Sequence, residues 1–348
     1  MGSSRVRVGR VSPLAVAAWA GLAVLLVGAF LAALGGLNQT IYGASSFVDR
    51  YLEAIADDDI ATASTTPGVA LDAAELEELG LPANISTAML RSGVVEAGPE
   101  DVRIVKDETL ADGSHSVTAS YRLEAAIIES TFDVRPIDPL YGFLNRWEFA
   151  VSPLAVIDVT AAHNPLFTVG SLSLDTRAAK SGEELTAFTQ ITSYLAMAPA
   201  VYEFHYDSTL LDAPHVAVQA EASARTSVIV DAQPTAEFVD RVQVKVDEFL
   251  QTCAQQPVLQ PTDCPFGIEI DDRVVSEPKW SMVSTPVVVL TPGESSFEMP
   301  PTEGVAHMTV DVQSLFDGDF FTLEEDRPFT LALTAVIKPD GNIAIQLR

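Results

Sequence analysis

The chain has 348 residues, 48% of them hydrophobic, enough for sizeable cores and too apolar for a disordered chain. Its 20 Lys+Arg face 48 Asp+Glu, a formal charge of −28. Arg5, Arg7 and Arg10 precede the first acid, so the rest carries 17 basic against 48 acidic residues, a balance of −31 that argues against nucleic acid and anionic lipid surfaces as partners.

Between Arg10 and Asp49 there is no charged residue. Leu14 to Leu37 is nearly all apolar, and as a helix these 24 residues reach about 36 Å, enough to cross a ~30 Å hydrocarbon layer with tilt. A cleaved signal peptide has a shorter apolar core and a clearer small-x-small site than Ala33-Leu34-Gly35, so an uncleaved anchor is expected. The arginines hold the N-terminus in the cytoplasm by the positive-inside rule, which places the body outside it.

The expected fold class is α+β and β-rich. Its parts are a basic tail at 1–10, a transmembrane helix at 11–37, a linker at 38–43, an α+β domain at 44–150, a β-sandwich-like module at 151–230 and a second helix-plus-antiparallel-sheet domain at 231–348. In the first domain Phe47, Val48, Tyr51, Leu52 and Ile55 form one helical face, and Ser46 with Asp49 resembles a capping box. LDAAELEEL reads as a second helix, stopped by Gly80 and Pro82. Strands follow from about residue 101. Val117, Ala119, Tyr121, Leu123 and Ala125 alternate inward, and the parity switches to Ile128, Phe132 and Val134, which requires a bulge or turn near Ala125-Ala126.

Residues 153–230 are short apolar runs between turn signals, with a helical hint around GEELTAFTQITSYL. Phe238, Val242, Val246, Phe249, Leu250 and Cys253 mark a long amphipathic helix. GIEI, WSMVSTPVVVL, VAHMTVDV, FTLALTAVI and NIAIQL read as strands, Glu324-Glu325-Asp326 as a loop, and Pro339-Asp340-Gly341 as a turn. The word Phe-Val-Asp-Arg opens both leading helices, at 47–50 and 238–241, and raises a tandem pair.

The anchor, a helix of the form F-V-x-x-Y-L-x-A-I (Phe47, Val48, Tyr51, Leu52, Ala54, Ile55) and the sheet after it resemble the nuclear transport factor 2-like superfamily. Extracytoplasmic members occur in actinobacterial envelopes, and the Ala- and Val-rich, Lys-poor composition is similar to such chains. The resemblance spans 44–150. It weakens over 234–348, where one helix stands in place of several and a cystatin-like layout fits equally. It implies a curved sheet whose concave face holds a ligand in some members and catalytic Asp, His or Tyr in others; no matching catalytic set is found. Tyr121, Phe132, Trp147 and Phe149 are the candidates for lining such a face, for a lipid or glycan, or else for ordinary core.

No histidine sits at metal-ligand spacing with another ligand, and G-x-S-x-G and phosphate-loop patterns are absent. Ser276-Glu277-Pro278-Lys279 matches S-x-x-K, but Pro278 opposes the helical turn that the motif needs. Asp317-Gly318-Asp319 lacks the remaining calcium-loop ligands and reads as a plain turn. Cys253 and Cys264, eleven positions apart, favour a disulfide outside the cytoplasm, tying the helix to the first strand of the following sheet. The expected function is a non-enzymatic envelope protein without cofactor, with the lipid bilayer and other envelope or membrane proteins as partners. A small-ligand binder is the alternative, and a hydrolase or isomerase hidden in the sheet a third reading.

Overall fold

The computed structural model describes residues 13–179 and 188–348. The basic tail at 1–10, residues 11–12 of the expected membrane segment and most of GEELTAF lie outside them. The apolar run forms helix α1 (Pro13–Thr40), long and apolar enough to cross a bilayer. The architecture beyond it is β-rich α+β, with several antiparallel sheets.

Helix α2 (Ala44–Ala56) buries Phe47, Val48, Tyr51, Leu52 and Ile55. The expected capping box at Ser46 is absent: the N-cap lies three residues earlier, at Gly43, without a side-chain bond, and the Ser46 hydroxyl donates to the Thr40 carbonyl. Helix α3 (Ile60–Thr65) is capped by Asp59, whose carboxylate accepts the Thr62 N–H. Helix α4 (Ala73–Glu78) carries a true capping box between Asp72 and Glu75 and is followed by Gly80 at φ +65°.

Strands β1 (Glu100–Thr109), β2 (His115–Leu123), β3 (Ala126–Leu140) and β4 (Leu144–Phe149) form an antiparallel meander. The parity switch is a tight turn at Glu124-Ala125, with Leu123 paired to Ala126 and Glu124 at φ +51°. Gly68, at φ +79°, lies so close to β4 that an added Cβ would stand 2.4 Å from the Phe149 carbonyl oxygen. The Phe149 N–H donates to the Pro67 carbonyl beside it at 3.0 Å.

Next come β5 (Ala155–Ala162), β6 (Leu166–Val169), β7 (Leu172–Asp175), a short 3-10 turn (Thr176–Ala179), β8 (Thr189–Ala196), β9 (Ala200–Asp207), β10 (Leu211–Ala220), β11 (Arg225–Asp231) and β12 (Gln233–Pro234). They build a five-stranded sheet in the order β12-β10-β9-β6-β7 and a three-stranded sheet β11-β5-β8. The helical hint is corrected over its second half: TQITSYLA is strand β8, burying Gln190, Thr192 and Tyr194 at a period of two. The chain divides into two compact units, one made of residues 1–157, 194–202 and 219–226, the other of 158–193, 203–218 and 227–348.

Helix α5 (Ala236–Ala254) begins at Thr235, whose hydroxyl accepts the Phe238 N–H, and buries Phe238, Val242, Val246, Leu250 and Cys253. Strands β13 (Arg273–Val274), β14 (Lys279–Ser284), β15 (Thr291–Pro292), β16 (Phe297–Gln313), β17 (Phe320–Ile337) and β18 (Ile343–Leu347) form one sheet around the long β16–β17 hairpin. Two sequence readings are corrected here. GIEI is irregular backbone that sends Ile268 into the core, its N–H satisfied by the Leu259 carbonyl at 3.0 Å. Glu324, Glu325 and Asp326 belong to β17, opposite Thr309, Met308 and His307. Cys253 and Cys264 are disulfide-bonded. The bond ties the buried end of α5 to a loop, not to a strand; that loop then carries Phe266 onto Trp280 and Phe329, with ring centroids 5.0 and 5.5 Å away.

Candidate functional site

The four aromatic candidates lie on one face of the first sheet, but Tyr121, opposite Ile128 of β3, and Trp147, opposite Pro136, stand far apart along it, and only Phe132 and Phe149 among the four are ring neighbours. Tyr121, Phe132, Trp147 and Phe149 are 1%, 3%, 8% and 3% exposed. Phe149 touches Phe47 and Tyr51 of α2, with ring centroids 5.0 Å away in both cases, and Phe132 lies 6.0 Å from Phe149. The polar ends are satisfied: Tyr121 meets the Ser130 hydroxyl at 2.6 Å, Trp147 donates to the Tyr42 carbonyl at 2.8 Å and Tyr51 to the Ala198 carbonyl at 2.7 Å. Burial, then the charge of neighbouring Tyr202, pushes the Tyr51 hydroxyl far above its ordinary pKa, so it stays a neutral donor.

Two surface constellations resemble catalytic triads. On the first sheet, His115 donates from Nδ1 to Asp107 at 2.6 Å, and its Nε2 stands 3.4 Å from the Thr109 hydroxyl. On the C-terminal sheet, His307 donates to Asp326 at 2.7 Å and faces the Thr309 hydroxyl at 3.3 Å. In both, the alcohol is secondary, and the residues lie on paired strands whose N–H groups serve the ladder, which leaves no N–H pair to hold a developing oxyanion. They are cross-strand polar rungs: His115 is directly opposite Thr109, and His307 opposite Asp326. The Ser276 hydroxyl accepts the Asp311 N–H at 2.8 Å, a structural use of the S-x-x-K serine. Among the described residues no group of three or more His, Cys, Asp or Glu is placed to hold a metal ion.

An open groove of about 460 Å³ runs along the outer face of α5 beside the turn into β18, and a second of about 400 Å³ continues it, sharing Lys245, Glu248 and Ile343. Its walls mix both charge signs and bring together no acid–base–nucleophile set.

Among the described residues, the most exposed apolar surface of the second unit is the tip of the β16–β17 hairpin. Leu315, Phe316, Phe320 and Phe321 are 72%, 98%, 69% and 44% exposed. The turn is nonetheless tightly held. Ser314 donates its N–H to the Asp319 carbonyl and accepts from Gly318 N–H at its own, at 2.9 and 3.0 Å. The Leu315 N–H donates to the Asp272 carboxylate at 3.1 Å, and Gln313 donates to the Gly318 carbonyl at 3.1 Å. Gly318, at φ +86°, makes the reversal. The Ser314 hydroxyl, then the Asp319 N–H, holds the Asp317 carboxyl below its ordinary pKa, so the apolar tip carries a firm negative charge. Sequence reading took this segment as a plain turn. The available signal was its composition, four large apolar side chains packed around D-G-D where a turn needs none.

Comparison with known proteins finds no matching family, no similar curated protein and no similar solved structure.

Proposed function

We propose that this chain is a single-pass membrane protein without enzymatic activity, and that its acidic body lies outside the cytoplasm and docks a partner protein of the cell envelope. The observation that carries the reading is the hairpin tip, with Phe316 98% exposed on a turn pinned by hydrogen bonds. Ordered apolar surface of this kind is a marker of an interaction site. Asp317 and Asp319 within the turn, and Asp272 beneath it, disfavour insertion into lipid, where carboxylates are costly, and favour an apolar pocket rimmed by Lys or Arg. Helix α1 supports the anchor, the N-terminal arginines support the orientation and the disulfide supports an oxidising compartment. Helices α2–α4 ahead of the β1–β4 meander support the nuclear transport factor 2-like reading of residues 44–150.

A photo-crosslinking amino acid at position 316, introduced in living cells, tests the docking. The expected result is an adduct with one envelope protein, absent when the crosslinker stands at the exposed control position Leu79. With that partner in hand, Phe316→Ala is expected to weaken binding at least tenfold, about 1.5–3 kcal/mol for one buried aromatic anchor, and to leave thermal stability unchanged. Adducts with lipid alone, or the same adducts from position 79, contradict the reading.

A further inference from the structure

We propose that the turn between β3 and β4 is a second membrane contact, with Leu140, Tyr141 and Phe143 seated in the headgroup boundary of the bilayer that α1 crosses. The inference rests on the reading of α1 as a membrane anchor.

Position comes first. Asn38 stands one residue beyond the apolar run, and its side chain clamps the turn: Nδ2 donates to the Phe143 carbonyl at 2.9 Å, and Oδ1 accepts the Asn145 N–H at 3.0 Å. Trp147 of β4 donates to the Tyr42 carbonyl just after the helix. These bonds hold the turn at the level where α1 leaves the hydrocarbon. Trp19, exposed near the other end of the helix, precedes Asn38 by a rise of about 28 Å, close to the thickness of the hydrocarbon layer. Trp19 and Tyr141 then fall at opposite interfaces, where Trp and Tyr concentrate.

The chemistry of the turn fits that depth. Leu140, Tyr141 and Phe143 are 39%, 79% and 47% exposed, and Ile41, at the helix exit, is 51% exposed. Tyr141 has φ +55° and Gly142 φ +79°, and the Phe143 N–H reaches the Leu140 carbonyl at 3.3 Å. A hairpin turn with two left-handed residues ordinarily takes Asn-Gly. A tyrosine in the first position carries a backbone penalty that no buried contact of its ring offsets, since its ring neighbour is Phe143, itself exposed, centroid to centroid 6.3 Å. Insertion of the ring into the interface supplies the missing gain.

Charge points the same way. From Pro139 to Arg146 this strongly acidic chain has no acid; Asp138 is the nearest. Arg146 is exposed, and Arg50 donates to the Ile41 carbonyl at 3.0 Å, so two guanidinium groups flank the turn at the height of lipid phosphates. The hairpin tip at 315–321 is equally apolar but carries acids within it, which is why lipid is assigned here and not there.

The test uses the full chain reconstituted in phosphatidylcholine vesicles, with the native cysteines left disulfide-bonded and an environment-sensitive fluorophore on a single introduced thiol. Tyr141→Cys probes the turn, Ile127→Cys the start of β3 beside the β2–β3 turn, at the opposite end of the meander, and Leu25→Cys the middle of α1. The expected result is blue-shifted emission at 141, quenched several-fold more by lipids spin-labelled near the headgroup than by aqueous iodide, with the reverse order at 127 and quenching by deep spin labels at 25. Iodide access at 141 equal to that at 127, with position 25 in lipid, overturns this inference and leaves the anchor standing. Iodide access at 25 overturns both.

Discussion

Replacing Phe149 with alanine is expected to destabilise the first unit by about 3–5 kcal/mol, the usual loss for a buried Phe→Ala change. The ring is 3% exposed and packs on Phe47 and Tyr51 of α2, so truncation opens a void at the helix–sheet seam. The seam has little room to collapse, because the backbone of residue 149 is held from the other side by Pro67 and Gly68. Denaturant unfolding of the full chain in detergent, followed by hydrogen exchange, measures this. Protection is expected to fall across α2 and β1–β4 and to persist across α5 and β16–β17. A loss below about 1 kcal/mol, or an equal loss in both units, contradicts the packing described.

Changing Cys253 and Cys264 together to serine is expected to cost about 3 kcal/mol in the loop-closure model, this time in the second unit. Cys253 is 2% exposed on the buried face of α5, and the bond fixes the start of the loop that places Phe266 and Ile268 in the core. Trp280 senses the same region, since it contacts Phe266 and donates its indole N–H to the Val258 carbonyl at 2.8 Å. Faster exchange is therefore expected from the end of α5 through residue 280, with β1–β4 unchanged. Exchange that rises equally in both units, or in neither, contradicts a local clip.

The parts of the fold legible in the sequence are those where one face is buried and one is wet. The period of Phe238, Val242, Val246 and Leu250 marked α5, and Ala306, Met308, Val310 and Val312 marked the inner face of β16. Glu324 to Asp326 was misread because a long hairpin strand whose sides are largely solvated carries charge freely, and the ladder to β16, not the side chains, defines it. GIEI has strand-like residues without a partner strand, and backbone pairing is not written locally. At Ser46 a capping pattern lost to the burial of Ala44, which pulled the helix start forward. The four aromatic candidates were legible as residues of one sheet face, and the burial of Phe132 and Phe149 against α2 was not, because alternation gives the face but not what covers it. The hairpin tip was missed for the converse reason: apolar residues around a turn look like core in a sequence, and only the fold shows that Phe316 is left 98% exposed.

Two apolar turns differ in one respect on which the proposed partners rest. The tip at 315–321 holds two acids, and the turn at 140–143 holds none. The docking of an envelope partner at the tip depends on a body that sits outside the cytoplasm, and the two cysteines report on that directly. In intact cells, a membrane-impermeant maleimide is expected to leave the native protein unlabelled, because Cys253 and Cys264 are oxidised, and to label both after treatment with an impermeant phosphine reductant, without lysis. Labelling that needs no reductant but appears only after the membrane is opened would place the body in the cytoplasm and contradict the account.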